Sequence, residues 1–335
     1  MKLAIIGAGN WGQNLVRNFY ELLGDDLVYV CDKDNRVLEW VKRTYPGVKT
    51  TDDYKKILKN NRIDSVVIAT PSSTHYSFAK ESLLCGKNVF VEKPVATRSS
   101  EAAELVELSE KRSLTLMVGH LMLYHPAVRM VKNLIDAGEL GRVFYMYSRR
   151  LNLGVIRKNE NALWNFAPHD VSVSLFLLNS FPERVWTIGK DYIQEGIEDI
   201  AFVVLEFPGN IISHIHVSWL DPHRRRELTV VGSKKMVVFN DVANVEKIRI
   251  YDKGVNYPIS YQSYGDSLTI RIGDIYSPKV EMKEPLKEEC RHFIECVKEG
   301  KRPLSDGNEA LDVVRILEAA QESLKSHGKA VHIKR

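Results

Sequence analysis

Gly7-Ala8-Gly9-Asn10-Trp11-Gly12 sets three glycines at the spacing G-x-G-x-x-G, and Asp32 follows twenty residues after the last of them. Each member has a physical task in holding a dinucleotide. Gly7 permits a tight turn, Gly9 lets the backbone approach a pyrophosphate, and Gly12 lets a helix pack closely on a strand. The free N–H groups and positive dipole end of that helix suit the phosphates. A carboxylate at Asp32 matches the adenosine ribose 2′-hydroxyl and repels a 2′-phosphate, so the pattern points to NAD rather than NADP. Lys33 beside it softens that preference. Three further polar clusters carry chemistry: Thr70-Pro71-Ser72-Ser73-Thr74-His75, Glu92-Lys93-Pro94 and Gly119-His120.

These groups depend on the elements that position them. Residues 2–6 are a short apolar run, suited to a parallel strand buried on both faces, and they run straight into the glycines. A helix follows, with Leu15, Phe19, Leu22 and Leu23 on one face, and then a strand over 27–31 that ends at Asp32. Strand, glycines, helix, strand and acid in that order make a far more specific signal than the glycines alone. The alternation continues with strands over 63–70, 88–92 and 114–119 and helices over 76–84 and 100–111. Repeated βα units specify an α/β domain, a doubly wound parallel sheet of Rossmann type. Such sheets bind ligands outside the carboxyl ends of their strands. All three polar clusters fall at such ends, so they converge on one edge.

After Gly138-Glu139-Leu140-Gly141 the pattern changes to successive strands, over 143–150, 184–190, 200–207, 211–219, 227–232 and 236–240. In Ile211-Ile212-Ser213-His214-Ile215-His216-Val217 apolar and polar residues alternate, which implies one covered face and one freer face. Helices over 286–299 and 308–327 and a short strand over 330–334 close the chain. The expected organisation is an NAD-binding Rossmann domain over 1–121, then an α+β domain over 122–335 with a large, mostly antiparallel open sheet.

Composition narrows the function. A chain of 335 residues suits two domains. The formal net charge is +4 without any block of like charges, which argues against nucleic-acid binding. No apolar run approaches the roughly 20 residues of a spanning helix. The first residues lack the features of a secretory leader, and the expected compartment is the cytoplasm. Cys31, Cys85, Cys290 and Cys296 are scattered, without metal-ligand or disulfide-scaffold spacing. His214 and His216 share one strand face, but no third ligand lies nearby, and no metal is expected.

On Gly7-Ala8-Gly9-Asn10-Trp11-Gly12, on Ala69-Thr70-Pro71 with His75, and on Glu92-Lys93-Pro94, the chain resembles the Gfo/Idh/MocA family of sugar and inositol dehydrogenases. The resemblance covers nearly the whole length, and the Glu-Lys-Pro triplet is the family's hallmark. It implies NAD held by Gly7, Gly9, Asn10, Trp11, Gly12, Asp32, Thr70, Pro71, Ser72, His75, Glu92 and Lys93. It also places the C-terminal helices against the first domain and pairs the outer face of the open sheet with another subunit, in a homodimer or homotetramer. Asn152-Leu153-Gly154-Val155-Ile156-Arg157 and Leu163-Trp164-Asn165-Phe166-Ala167-Pro168-His169-Asp170 are similar to a narrower subgroup. That subgroup oxidises C3 of UDP-N-acetylglucosamine or its uronic acid, for lipid A or surface-polysaccharide synthesis.

A nicotinamide dehydrogenase needs a base for the hydroxyl proton and a cation beside the developing alkoxide. Pro168-His169-Asp170 reads as a helix start, where the positive dipole end favours a neutral, base-competent His169. Lys93 supplies the cation, just outside a strand's carboxyl end. The family often carries an aspartate four residues before the histidine. Here that residue is Asn165, so the base role falls on His169 alone. Expected substrate contacts are Lys93, His120, Arg149, Asn152, Arg157, Trp164, Asn165 and His169, with Arg150 and His125 beside them. Guanidinium groups suit a diphosphate or a carboxylate. A free-sugar or inositol dehydrogenase is the alternative enzyme, and an NAD-binding regulator without catalysis the alternative outside enzymes.

Overall fold

The computed structural model describes residues 1–256 and 269–335. The strands are β1 (Leu3–Ile6), β2 (Leu27–Cys31), β3 (Lys49–Thr51), β4 (Ser65–Ile68), β5 (Asn88–Glu92) and β6 (Leu116–Gly119), then β7 (Val143–Leu151) and β8 (Arg184–Lys190). They continue with β9 (Ile200–Phe207), β10 (Ile211–Ser218), β11 (Arg225–Gly232), β12 (Met236–Asn240), β13 (Ile248–Asn256), β14 (Thr269–Tyr276) and β15 (Val331–His332). The helices are α1 (Gly12–Leu23), α2 (Asn35–Thr44), α3 (Tyr54–Leu58), α4 (His75–Leu84) and α5 (Ser99–Lys111). After them come α6 (Pro126–Asp136), α7 (Ala162–Leu178), α8 (Pro285–Glu299) and α9 (Gly307–Lys325). The chain divides into two compact units. One holds Met1–Tyr124 and Lys283–Arg315, the other His125–Met282 and Ile316–Arg335.

In the first unit six strands pair in the order β3-β2-β1-β4-β5-β6, every pair parallel. The order reverses between β1 and β4, the switch point at which open α/β sheets bind ligands. β1, β4 and β6 are buried at every residue, as their unbroken apolar runs require. α1 buries Leu15, Val16 and Phe19, and the Phe19 and Phe90 rings meet edge-on at 6.2 Å. α8 packs on α1.

In the second unit nine strands among the described residues pair in the order β14-β13-β12-β11-β7-β10-β9-β8-β15. Of these pairs only β7 and β10 run parallel. α7 packs on β7, β9 and β10, and Ser174 of the helix hydrogen-bonds Ser213 of β10 at 3.0 Å. Ser213, Ile215 and Val217 therefore face the helix, as do Ala201, Val203 and Leu205 of β9. The alternate residues form the other face, where Tyr145, Ile188, Phe202 and Ile212 are exposed.

Three strands were not legible in the sequence: β3, only three residues long, and the pair β13 and β14. Arginine, lysine, aspartate and glycine interrupt the alternation of that pair, so neither reads as a half-buried strand. α2, α3 and α6 are also additions. Asp34, Asp53 and His125 cap their first turns through the side chain, accepting from Arg36, Lys55 and Ala127 N–H groups.

Candidate active site

The glycine loop closes on β4 without room to spare. Gly7 has φ +91°, and a Cβ there would lie 2.7 Å from the Ala69 carbonyl. A Cβ on Gly12 would lie 2.3 Å from the Gly7 oxygen. At Gly9 the same atom would meet nothing within 4 Å, which leaves that backbone open to a ligand. The loop forms one wall of a cavity of about 520 Å³, lined also by Asn10, Trp11, Asp32, Thr70 and Pro71. Asp32 accepts the Ala8 N–H at 2.7 Å on Oδ2 and the Asp34 N–H at 2.9 Å on Oδ1. Each carboxylate oxygen keeps a further lone pair for a ribose hydroxyl. Cys31 lines the same cavity as an inert thiol, because burial pushes it up to about 12. These residues fit a dinucleotide: glycine backbone for the pyrophosphate and a fixed carboxylate for the ribose.

The corner after β5 is braced on both sides. Glu92 is buried and accepts the Trp11 indole N–H at 2.6 Å, tying the corner to the glycine loop. It also accepts the Lys93 backbone N–H at 3.3 Å. A Cβ on Gly119 would lie 2.9 Å from the Glu92 carboxyl, so only glycine leaves space for it. Burial pushes the Glu92 carboxyl above the usual range, against the pull of the Trp11 indole and the Lys93 charge. His75 spans from the Thr70 carbonyl, 2.7 Å from Nε2, to the Pro94 carbonyl, 2.8 Å from Nδ1. His120 is buried beside Glu309 of α9 and hydrogen-bonds it through Nδ1.

In the second unit α7 starts at Asn161, whose side chain accepts the Trp164 N–H at 3.0 Å. Asn165 and His169 lie one turn apart and so share a helix face. The Asn165 amide donates to Glu160 at 2.7 Å, and the Arg157 guanidinium lies 3.7 Å from the same carboxylate. Next to His169, Asp170 takes two hydrogen bonds from Arg150, at 2.8 and 3.3 Å.

The family profile described as "Oxidoreductase family, NAD-binding Rossmann fold" matches residues 1–120. The profile of the GFO/IDH/MocA C-terminal domain matches residues 128–238. The chain belongs to the Gfo/Idh/MocA oxidoreductases. It is accordingly an NAD-dependent dehydrogenase acting on CH–OH groups. An uncharacterized oxidoreductase of Streptococcus pneumoniae is 27% identical over 62% of this chain, a match that spans 59% of that relative. The scyllo-inositol 2-dehydrogenase (NAD(+)) of Bacillus subtilis is 24% identical over 97% of this chain and 94% of its own. Among solved structures, UDP-N-acetylglucosamine 3-dehydrogenase from Acidithiobacillus ferrooxidans superposes with a TM-score of 0.81. It is 20% identical, with 98% of each chain covered, a likeness of fold.

Several placements within this Gfo/Idh/MocA chain differ from expectation. Pro168 does not open a helix. α7 begins at Ala162, so His169 stands two turns in, past the dipole's reach, and the dipole argument for its neutral form falls away. The Asn161 cap was the missed signal. His75 is a buried brace between two carbonyls rather than part of the cavity wall. Glu92 reaches the loop through the Trp11 indole, and Ser72 opens a 3-10 turn over Ser72–Thr74. Arg149 and Arg150, adjacent in sequence, face opposite sides of the sheet. Arg150 meets α7, whereas Arg149 pairs with Glu227 at 2.8 Å on the other face, away from His169. Asn152 and Trp164 are half-buried, in the loop after β7 and in the first turn of α7. His125 caps α6 and lies 3.3 Å from Asp241. His214 and His216 stack on Phe202, at 6.2 and 4.2 Å. Among the described residues no group of three or more His, Cys, Asp or Glu could hold a metal ion, and no helix is long and apolar enough to cross a membrane. The cavity also recruits Asp52, Tyr54 and Phe78, which no sequence motif marks.

Proposed function

We propose that this dehydrogenase oxidises the C3 hydroxyl of a UDP-N-acetylhexosamine, the N-acetylglucosamine nucleotide or its uronic acid, to the 3-keto sugar. The observation that carries the reading is the cluster on α7. Asn165 and His169 share a face, and Glu160 joins Asn165 to Arg157, drawing both segments of the subgroup pattern into one polar surface. His169 takes the hydroxyl proton. The Lys93 ammonium hydrogen-bonds the same oxygen as alkoxide character develops. Bound NAD supplies the hydride acceptor. Asn165 has an amide where a carboxylate would relay the proton, so it orients substrate and leaves the proton with His169. The reading includes a homodimer or homotetramer formed through the open sheet face of the second unit, where Tyr145, Ile188, Phe202 and Ile212 are exposed.

The near full-length match to an inositol dehydrogenase favours a second reading, oxidation of a free sugar or cyclitol. The UDP handle separates the two. Calorimetry with UDP in the presence of NADH should show binding, competed by UDP-N-acetylglucosamine. Binding of myo- or scyllo-inositol with no response to UDP would select the second reading.

A further inference from the structure

Behind Glu92 lies a second acid that no part of the cofactor site uses. Glu289 of α8 is 0% exposed, and neither of its carboxyl oxygens has a hydrogen-bond partner among the described residues. The packing of α8 on β5 explains its place. Phe293 of α8 meets Phe90 of β5 edge-on, with ring centroids 5.7 Å apart. Glu289 lies one turn back from Phe293, about 6 Å along the helix. Glu92 lies two residues on from Phe90, about 6.6 Å along the strand and on the same face. Both acids are thus within two residues or one turn of the same aromatic contact, and the Glu92 charge acts on Glu289.

The surroundings decide which of them is ionised. Glu92 has the Trp11 indole and the Lys93 amide as donors, and the Lys93 and His120 charges favour its anion. Among the described residues Glu289 has no donor. Around it stand Tyr124, with Glu309 beyond, Cys290 on its own helix, and the Arg17–Glu284 ion pair between α1 and the start of α8. Of these only Arg17 is cationic, and Glu284 neutralises it. Burial and the Glu92 charge hold the Glu289 carboxyl well above the usual carboxylate range.

We propose that Glu289 is kept as the neutral acid and is a positioning residue of the cofactor site. By staying uncharged it leaves Glu92 as the one anion of the pair, fixed on Trp11 of the glycine loop and on the Lys93 backbone. Ionising Glu289 sets two like charges side by side in a low-dielectric interior and loosens that clamp. The proposal rests on the NAD site and not on the identity of the sugar.

The sign of the pH effect follows from linkage. The unfolded chain ionises Glu289 at the ordinary carboxylate pH, while the folded chain holds its proton to higher pH. Stability is thus full below the ordinary range and is lost as pH rises toward the raised folded value. The test measures NADH affinity by fluorescence and thermal melting from about pH 6 to about pH 10, for wild type, Glu289→Gln and Glu289→Met. Wild type should lose about tenfold or more in NADH affinity across that range and should fall in melting temperature relative to both variants. Both variants should show ratios within about twofold over the same range. Parallel alkaline losses in wild type and variants would overturn the proposal. So would two variants that bind NADH poorly, or fail to fold, at every pH, because the anion would then be what the site requires. Neither readout involves a sugar, so a failed substrate assignment leaves this result standing.

Discussion

Arg150 holds Asp170 through two hydrogen bonds, at 2.8 and 3.3 Å, one residue along α7 from His169. Their side chains are only 10% and 9% exposed. The pair fastens the helix that carries His169, the proposed base, to the strand beneath it. Removing one partner leaves a buried charge uncompensated, which costs about 3–5 kcal/mol. Arg150→Met and Asp170→Asn should each lower unfolding stability by that order in denaturant titration. Arg150→Met/Asp170→Asn should cost less than the sum of the singles, because no charge is left behind. Additive losses would show that the pair acts through packing alone.

Two duties are proposed for Asp32, and they separate experimentally. Its oxygens hold the Ala8 and Asp34 N–H groups, and its charge disfavours a 2′-phosphate. Asp32→Asn keeps one acceptor and removes the charge, whereas Asp32→Ala removes both. The NAD over NADP preference should shrink in both variants. NAD affinity should fall further in the alanine variant, by about an additional two- to tenfold, the worth of a neutral hydrogen bond. An unchanged preference in both would take Asp32 out of cofactor selection.

The uncovered face of the second unit's sheet predicts self-association. Ile188, Phe202 and Ile212 are apolar and exposed on neighbouring strands. Light scattering at micromolar concentration should report a dimer or a tetramer. Phe202→Glu should lower the measured mass, because a charge there is left unpaired at the interface. A monomeric wild type contradicts the prediction.

The glycine loop of the first unit was legible because its chemistry is local. Glycines, strand ends and Asp32 follow one another within one βαβ segment, and each has a backbone reason to be where it is. The Glu92–Trp11 bond was beyond sequence reasoning, since it joins residues 81 apart. Glu289, 197 positions after Glu92, likewise gives no motif of its own. In the second unit the alternation of β7, β9 and β10 gave the faces but not the start of α7. Pro168 satisfied a helix-start rule, and Asn161 satisfied it better, seven residues earlier. Arg149 and Arg150 show the same limit. Adjacent residues in a strand face opposite ways, and only the packed helix decides which face matters.

Lys93→Met and His169→Asn should leave NADH binding nearly intact, because neither side chain is assigned to the phosphates or the adenosine ribose. Each should lower turnover by about 10²–10⁴-fold, the usual worth of a positioned acid–base group. The double variant should be little worse than the weaker single if the two act as a unit. With His169 as the base, kcat should show an acidic limb in wild type that is absent from His169→Asn. Near-wild-type turnover in His169→Asn would move the base elsewhere, with His120 the first residue to test.

The substrate itself is the most direct test. Purified protein incubated with NAD and a panel of UDP-sugars, inositols and free aldoses can be followed by NADH absorbance, with mass spectrometry of the sugar in case the cofactor stays bound and is recycled. UDP-N-acetylglucosamine or its uronic acid should lose two hydrogens, and C3-deuterated substrate should transfer its label to NAD. Oxidation of an inositol or a free aldose, with every UDP-sugar recovered unchanged, would contradict the account.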